Sequence, residues 1–152
     1  MEKTFEDWLA EIQTDMIDAC LEYADYKADA VYIYASYEEQ TISCDYFYRI
    51  GDSLYERHKL NEIEALNIDV SVQRQEACLK ILNKDIEKLI DVCKDFDMDM
   101  PTEIKLIYDV KRNHVSADYE YELQYSNTAE LMADDLAEAW FEQELQRISD
   151  EK

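Results

Sequence analysis

Glycine and proline are almost missing from this chain: Gly51 and Pro101 are the only examples among its 152 residues, far below ordinary usage. Without more glycine the chain cannot build a G-x-G-x-x-G or P-loop phosphate cradle, nor the glycine turn of an EF-hand. Long irregular loops are equally disfavoured, so regular structure is expected to occupy most of the sequence. Cysteine is sparse and unpatterned. Cys20, Cys44, Cys78 and Cys93 contain no C-x-x-C spacing and each falls at an apolar position, which points to buried free thiols and away from a disulfide frame or zinc site. Apolar runs extend only a few residues, too short to span a bilayer. The start, Met1-Glu2-Lys3-Thr4-Phe5-Glu6-Asp7, is acidic and already helical in pattern, unlike a secretory signal, so a cytoplasmic location is expected.

Positive charge is the other shortage. Fifteen Lys+Arg stand against 37 Asp+Glu, a formal net charge of −22. Self-repulsion of that size opposes compactness, and solubility of a small domain needs only about 2–8 net charges. The surplus points to a cationic partner. Direct contact with nucleic acid or anionic lipid is disfavoured, because phosphate would be repelled. Hydrophobic content of 47% separates the chain from acidic disordered proteins. The length suits one domain, spanning 1–152.

Apolar periodicity then divides the chain. Phe5, Trp8, Leu9, Ile12, Met16, Ala19, Cys20 and Tyr23 recur at helical spacing, with Thr4 as cap and Asp7 three residues on. Period two takes over in Ala30–Tyr37 and Thr41–Ile50, and a short strand at Ser53–His58 follows the turn Gly51-Asp52. Ile42, Cys44, Tyr46 and Tyr48 form the expected inner face of the second strand. Lys59–Ile68 reads as a connection, Ser71–Phe96 as the longest helix, and Glu103–Lys111 with His114–Tyr125 as a hairpin joined at Arg112-Asn113. Asn127-Thr128-Ala129-Glu130 resembles a capping box opening a final helix. The expected class is α+β: an antiparallel sheet of four to five strands with helices packed on one face, in the order α-β-β-(β)-α-β-β-α.

No arrangement suggests bond-breaking chemistry. His58 and His114, the only histidines, sit beside basic neighbours near strand or turn ends and read as exposed turn residues. No Ser-His-Asp or H-E-x-x-H spacing occurs, so no catalytic residue, metal or cofactor is expected. Asp118, Glu120 and Glu122 would line one strand face about 6.5–7 Å apart. Such a row can chelate a cation or serve glycoside hydrolysis, but alternation of this kind is ordinarily a solvated sheet face.

The twelve tyrosines cluster in the strands. With helices on one sheet face only, Tyr32, Tyr34, Phe47 and Ile107 would form an aromatic patch on the other, beside Asp45, Asp109, Asp118 and Glu120, with Glu122 beyond. Aromatic anchors and carboxylates together suit a basic protein. Tyr32, Tyr34, Asp45, Phe47, Asp109, Asp118, Glu120 and Glu122 are therefore the expected partner-binding residues.

The tyrosine-rich pair Val31-Tyr32-Ile33-Tyr34 and Asp45-Tyr46-Phe47-Tyr48, the long central helix, and the hairpin of Leu106-Ile107-Tyr108-Asp109 with Ala117-Asp118-Tyr119-Glu120-Tyr121 follow one another in a familiar order. In that order the chain resembles the YezG-like immunity proteins, small antitoxins of Gram-positive bacteria. The resemblance implies a cytoplasmic, non-catalytic protein that binds and neutralises a toxin, often a nuclease. Three other readings stay open on the residues alone: an acidic nucleic-acid mimic that blocks DNA-binding proteins, a carboxylate-based metal-binding protein, and a self-associating scaffold.

Overall fold

Thr4 shows how locally the first element is specified. Its Oγ1 accepts from the Asp7 N–H at 3.1 Å, and the Asp7 carboxylate accepts from the Thr4 N–H at 3.0 Å. This reciprocal cap satisfies two orphan donors and starts helix α1, Phe5–Tyr23. The computed structural model describes residues 2–128 and 130–151. After α1 come strands β1 (Ala30–Glu38), β2 (Thr41–Ile50) and β3 (Ser53–Glu56), then two 3₁₀ turns (Arg57–Glu62 and Glu64–Leu66). Helix α2 (Val72–Asp95), strands β4 (Glu103–Asp109) and β5 (His114–Glu120), and helix α3 (Ala133–Asp150) complete the chain. The class, the antiparallel pairing and the order of elements are those the sequence predicts.

The five strands lie in the order β3-β2-β1-β4-β5. Tight turns set the registers. Glu39 and Gln40 both take positive φ, 48° and 66°, so a two-residue turn of the mirror-image kind joins β1 to β2 without glycine. Gly51, at φ +62°, occupies the one turn where glycine was expected. On one sheet face Val31, Ile33, Ala35, Tyr46, Tyr48, Ile104 and Leu106 pack against α1 and α2 and form the main core. The thiols of Cys20 and Cys78 meet there at 3.9 Å, and all four cysteines are free.

The helices do not share one face. Ala30, Tyr32, Tyr34, Phe47 and Leu54 point to the opposite side, where Ala137, Trp140 and Ile148 of α3 cover them in a second core. The reason lies in β1. It is buried from Ala30 through Ser36 without a break, and a central strand apolar on both sides requires cover on both sides.

Two boundaries also shift. The alternation of β5 continues through Tyr121, Leu123 and Tyr125, but the strand stops at Glu120. Its partner runs out there: the Glu120 carbonyl accepts from Thr102 N at 2.8 Å, and the preceding residue, Pro101, has no N–H to extend the ladder. Helix α3 starts at Ala133, six residues later than the Asn127 start predicts. Ala129 of that expected capping box lies outside the described residues. Thr128 Oγ1 instead accepts from Leu131 N at 3.2 Å in a local turn, and the Asp135 carboxylate accepts from Met132 N at 2.9 Å at the true start.

Between β5 and α3 the chain is held to the sheet by one buried carboxylate. Glu38 accepts backbone N–H bonds from Gln124 (2.8 Å), Ser126 (3.0 Å) and Tyr125 (3.4 Å). Burial pushes its carboxyl up, but the bonds from Ser126, Gln124 and Tyr125 outweigh burial and leave it below the ordinary value. The stability this group contributes is thus fully present above the ordinary carboxylate range and disappears as pH falls through the depressed value. Glu38→Gln should cost about 1–2 kcal/mol at neutral pH. The loss should shrink on acidification, measured by urea unfolding across an acid titration.

Candidate protein-binding surface

Packing α3 across β2 and β3 leaves a cleft of about 310 Å³ along their junction. Its sheet side carries Asp45, Tyr46 and Phe47 of β2 with Glu56, Arg57 and His58, which end β3 and begin the 3₁₀ turn. Its helix side carries Asp134, Glu138 and Glu142, which recur at i, i+4 and i+8 and so form one row along α3. Ala137 and Phe141 complete that wall. The Phe141 ring meets Phe47 edge-on at 5.0 Å, giving the cleft an aromatic base.

The charge balance is one-sided: five carboxylates line the cleft against one guanidinium. That guanidinium is already engaged, since Arg57 is ion-paired with Asp45 and donates from Nε to Gln75 Oε1 at 3.1 Å. Burial raises the Asp45 carboxyl from its ordinary value, opposed by Arg57 and by the Tyr46 N–H, which donates to it at 2.7 Å. Asp134, Glu138 and Glu142 are exposed. A cationic side chain entering here would meet these three exposed carboxylates, which have no ion-pair partner among the described residues, beside an aromatic surface, a combination that favours arginine or lysine.

The structure separates the eight residues expected to bind a partner. Tyr32, Tyr34 and Phe47 are 2%, 1% and 5% exposed and lie beneath α3, so they are not surface anchors. Tyr32 stacks on Phe47 at 4.6 Å, and Trp140 meets both rings edge-on at 5.9 and 5.1 Å. The Tyr34 hydroxyl donates to Glu103 Oε2 at 2.9 Å, and burial first, then the Glu103 charge, drives its pKa far up. Asp45 enters the cleft. Asp109 is half-buried and faces Arg49 at 3.7 Å. Asp118, Glu120 and Glu122 are exposed at the other end of the sheet, well separated in strand order from β2 and β3.

Sequence reasoning missed Glu56, Asp134, Glu138, Phe141 and Glu142 as a group. The four-residue spacing on α3 was visible, but only the packing shows which strands it faces. His58 and His114 are exposed as expected. Among the described residues no three His, Cys, Asp or Glu side chains converge as metal ligands, and no helix is long and apolar enough to cross a membrane. No family model matches this chain, and no curated protein is detectably similar to it.

Proposed function

We propose that this chain is an immunity protein that binds a cationic toxin domain, in the manner of the YezG-like proteins it resembles, and occludes it without catalysing a reaction. The observation that carries the reading is the cleft between α3 and β2–β3, with five carboxylates around an aromatic base on a protein of charge −22. Toxin nucleases are cationic because they hold phosphate, and an acidic inhibitor gains association rate by electrostatic steering. The interface differs from the one sequence alternation implies. Its apolar contribution comes from half-buried Phe141 on the helix side of the cleft, and most of its carboxylates come from α3.

The test is association with a cationic toxin domain encoded beside the chain. Its on-rate should fall at least about tenfold as ionic strength rises from ~0.01 to ~0.15 M. Reversing Glu138 and Glu142 together to lysine should weaken binding at least about a hundredfold, with the loss shared between on- and off-rates. Both side chains are exposed, so the variant keeps its fold. An on-rate indifferent to salt, or a charge-reversed protein that binds as well as the native one, would refute the cleft as the interface. Equal binding to unrelated DNA-binding proteins would instead mark a nucleic-acid mimic.

A further inference from the structure

The open edge of β5 is a second feature, independent of the cleft. The strand order puts β5 at the end of the sheet, and among the described residues no element pairs with its far side. Val110 N donates to Asp29 O and Tyr37 N to Thr102 O, each at 2.9 Å, extending the β1–β4 register at both ends. These bonds fix the alternation. Ile104, Leu106 and Tyr108 direct their backbone groups to β1, so Glu103, Lys105, Ile107 and Asp109 direct theirs to β5. Within β5, His114, Ser116, Asp118 and Glu120 are then bonded to β4. The N–H and C=O groups of Val115, Ala117 and Tyr119 point away from the sheet.

Exposed edges are usually blunted by lysine, proline, a bulge or a covering element. β5 has no lysine or proline, keeps an unbroken register over its seven residues, and is covered by no element among the described residues. Its protection is negative charge alone, from exposed Asp118 and Glu120 on one face. The other face offers Val115, 43% exposed, with half-buried Ala117 and Tyr119 and, beyond the strand, Tyr121 at 56%. Such an edge repels a second copy of a chain with charge −22 and admits a cationic one.

We propose that the β5 edge is a strand-addition site for an extended segment of a basic protein. Lysine or arginine at alternate positions would face Asp118 and Glu120, and apolar residues between them would pack beside Val115, Ala117 and Tyr119. Backbone bonds supply the binding and the two faces supply the selectivity. The site shares with the proposed function only the sign of the partner's charge.

The probe is a short peptide alternating lysine and valine, titrated into the isotope-labelled protein. The control is the same peptide N-methylated on alternate residues, prepared in both phases. Methylation keeps every charge and side chain but removes the N–H groups a strand must share. The amides of Val115, Ala117 and Tyr119 should exchange at least about tenfold more slowly with the plain peptide and unchanged with whichever methylated form blocks the shared edge. Asp118→Lys with Glu120→Lys should abolish this protection, while Glu138→Lys with Glu142→Lys should leave it intact. Equal binding of all three peptides, or protection confined to the cleft, would overturn the proposal. So would protection that appears without peptide as protein concentration rises, because the edge would then belong to a second copy. Since the readout is local to β5, it stands or falls separately from the cleft.

Discussion

Trp140→Ala should be the most damaging single substitution on α3, costing about 3–5 kcal/mol by urea unfolding. The helix buries only Ala133, Ala137, Trp140, Glu144 and Ile148 against the rest of the protein. Two of these are alanines, which contribute little area, and one is a carboxylate tied to Arg147 at 2.6 Å. Trp140 is therefore the largest buried apolar side chain on the helix, touching Tyr32, Tyr34 and Phe47 with ring separations of 5.9, 6.4 and 5.1 Å. Its removal leaves a hole that two alanine neighbours cannot fill. The variant should bind a hydrophobic dye more strongly, because Tyr32 and Phe47 become accessible, while the α1–α2 face stays folded. It should also lose affinity for a cationic partner, since one wall of the cleft is α3. By contrast Trp8, half-buried on α1 beneath the ammonium groups of Lys3 (4.1 Å) and Lys88 (5.2 Å), is peripheral. Its replacement by alanine should cost clearly less. A Trp140 variant within about 1 kcal/mol of the native protein would contradict the two-sided core.

Asp85→Asn should stabilise the protein, and by an amount that grows with pH. Asp85 is buried on α2, where its Oδ2 has no hydrogen-bond partner among the described residues. Burial first, and then Asp15 of the facing helix, push its carboxyl up to about 8, with Lys88 opposing. In the unfolded chain an aspartate titrates near 3.9. The folded state consequently holds a proton that the unfolded state has released across the window between those values. Stability contributed by that proton is fully present below about pH 4 and is lost as pH rises through about 8. An asparagine stays uncharged throughout and offers an N–H to Asp15. The gain at about pH 8.5 should be about 2–3 kcal/mol, less than the full displacement implies, because Asp85 stays 8% exposed and solvent screens part of its charge. At about pH 4 the two proteins should agree within about 0.5 kcal/mol. Equal differences at both pH values, measured by chemical denaturation, would refute the buried-acid assignment.

The same contrast between local and distant causes explains which readings held. The cap of α1, the start of the long helix at Ser71 and the whole of β2 follow from residues a few positions apart. Thr4 finds Asp7, Ser71 Oγ accepts from Arg74 N at 3.4 Å, and the inner row Ile42, Cys44, Tyr46 and Tyr48 packs into the main core as its alternation predicts. The misplaced patch had a legible warning. From Ala30 to Ala35 β1 contains no charged residue on either face, which is the pattern of a strand covered twice. The end of β5 could not be read from β5 at all. It depends on Pro101, nineteen positions before Glu120, and the backbone of Gln124–Ser126 goes instead to the carboxylate of Glu38 at the far end of β1.

The chain's own order of residues settled its class, the kinds and succession of its elements, its tight turns and its large negative charge. Each of these arises from interactions within one or two turns of chain, or from simple summation. Tertiary structure alone decided that α3 crosses the second sheet face, that Tyr32, Tyr34 and Phe47 lie inside, and that Asp45 and Glu56 meet the acidic row of α3. Those outcomes depend on which distant surfaces bury each other, and an apolar face marks the need for cover without naming what will cover it.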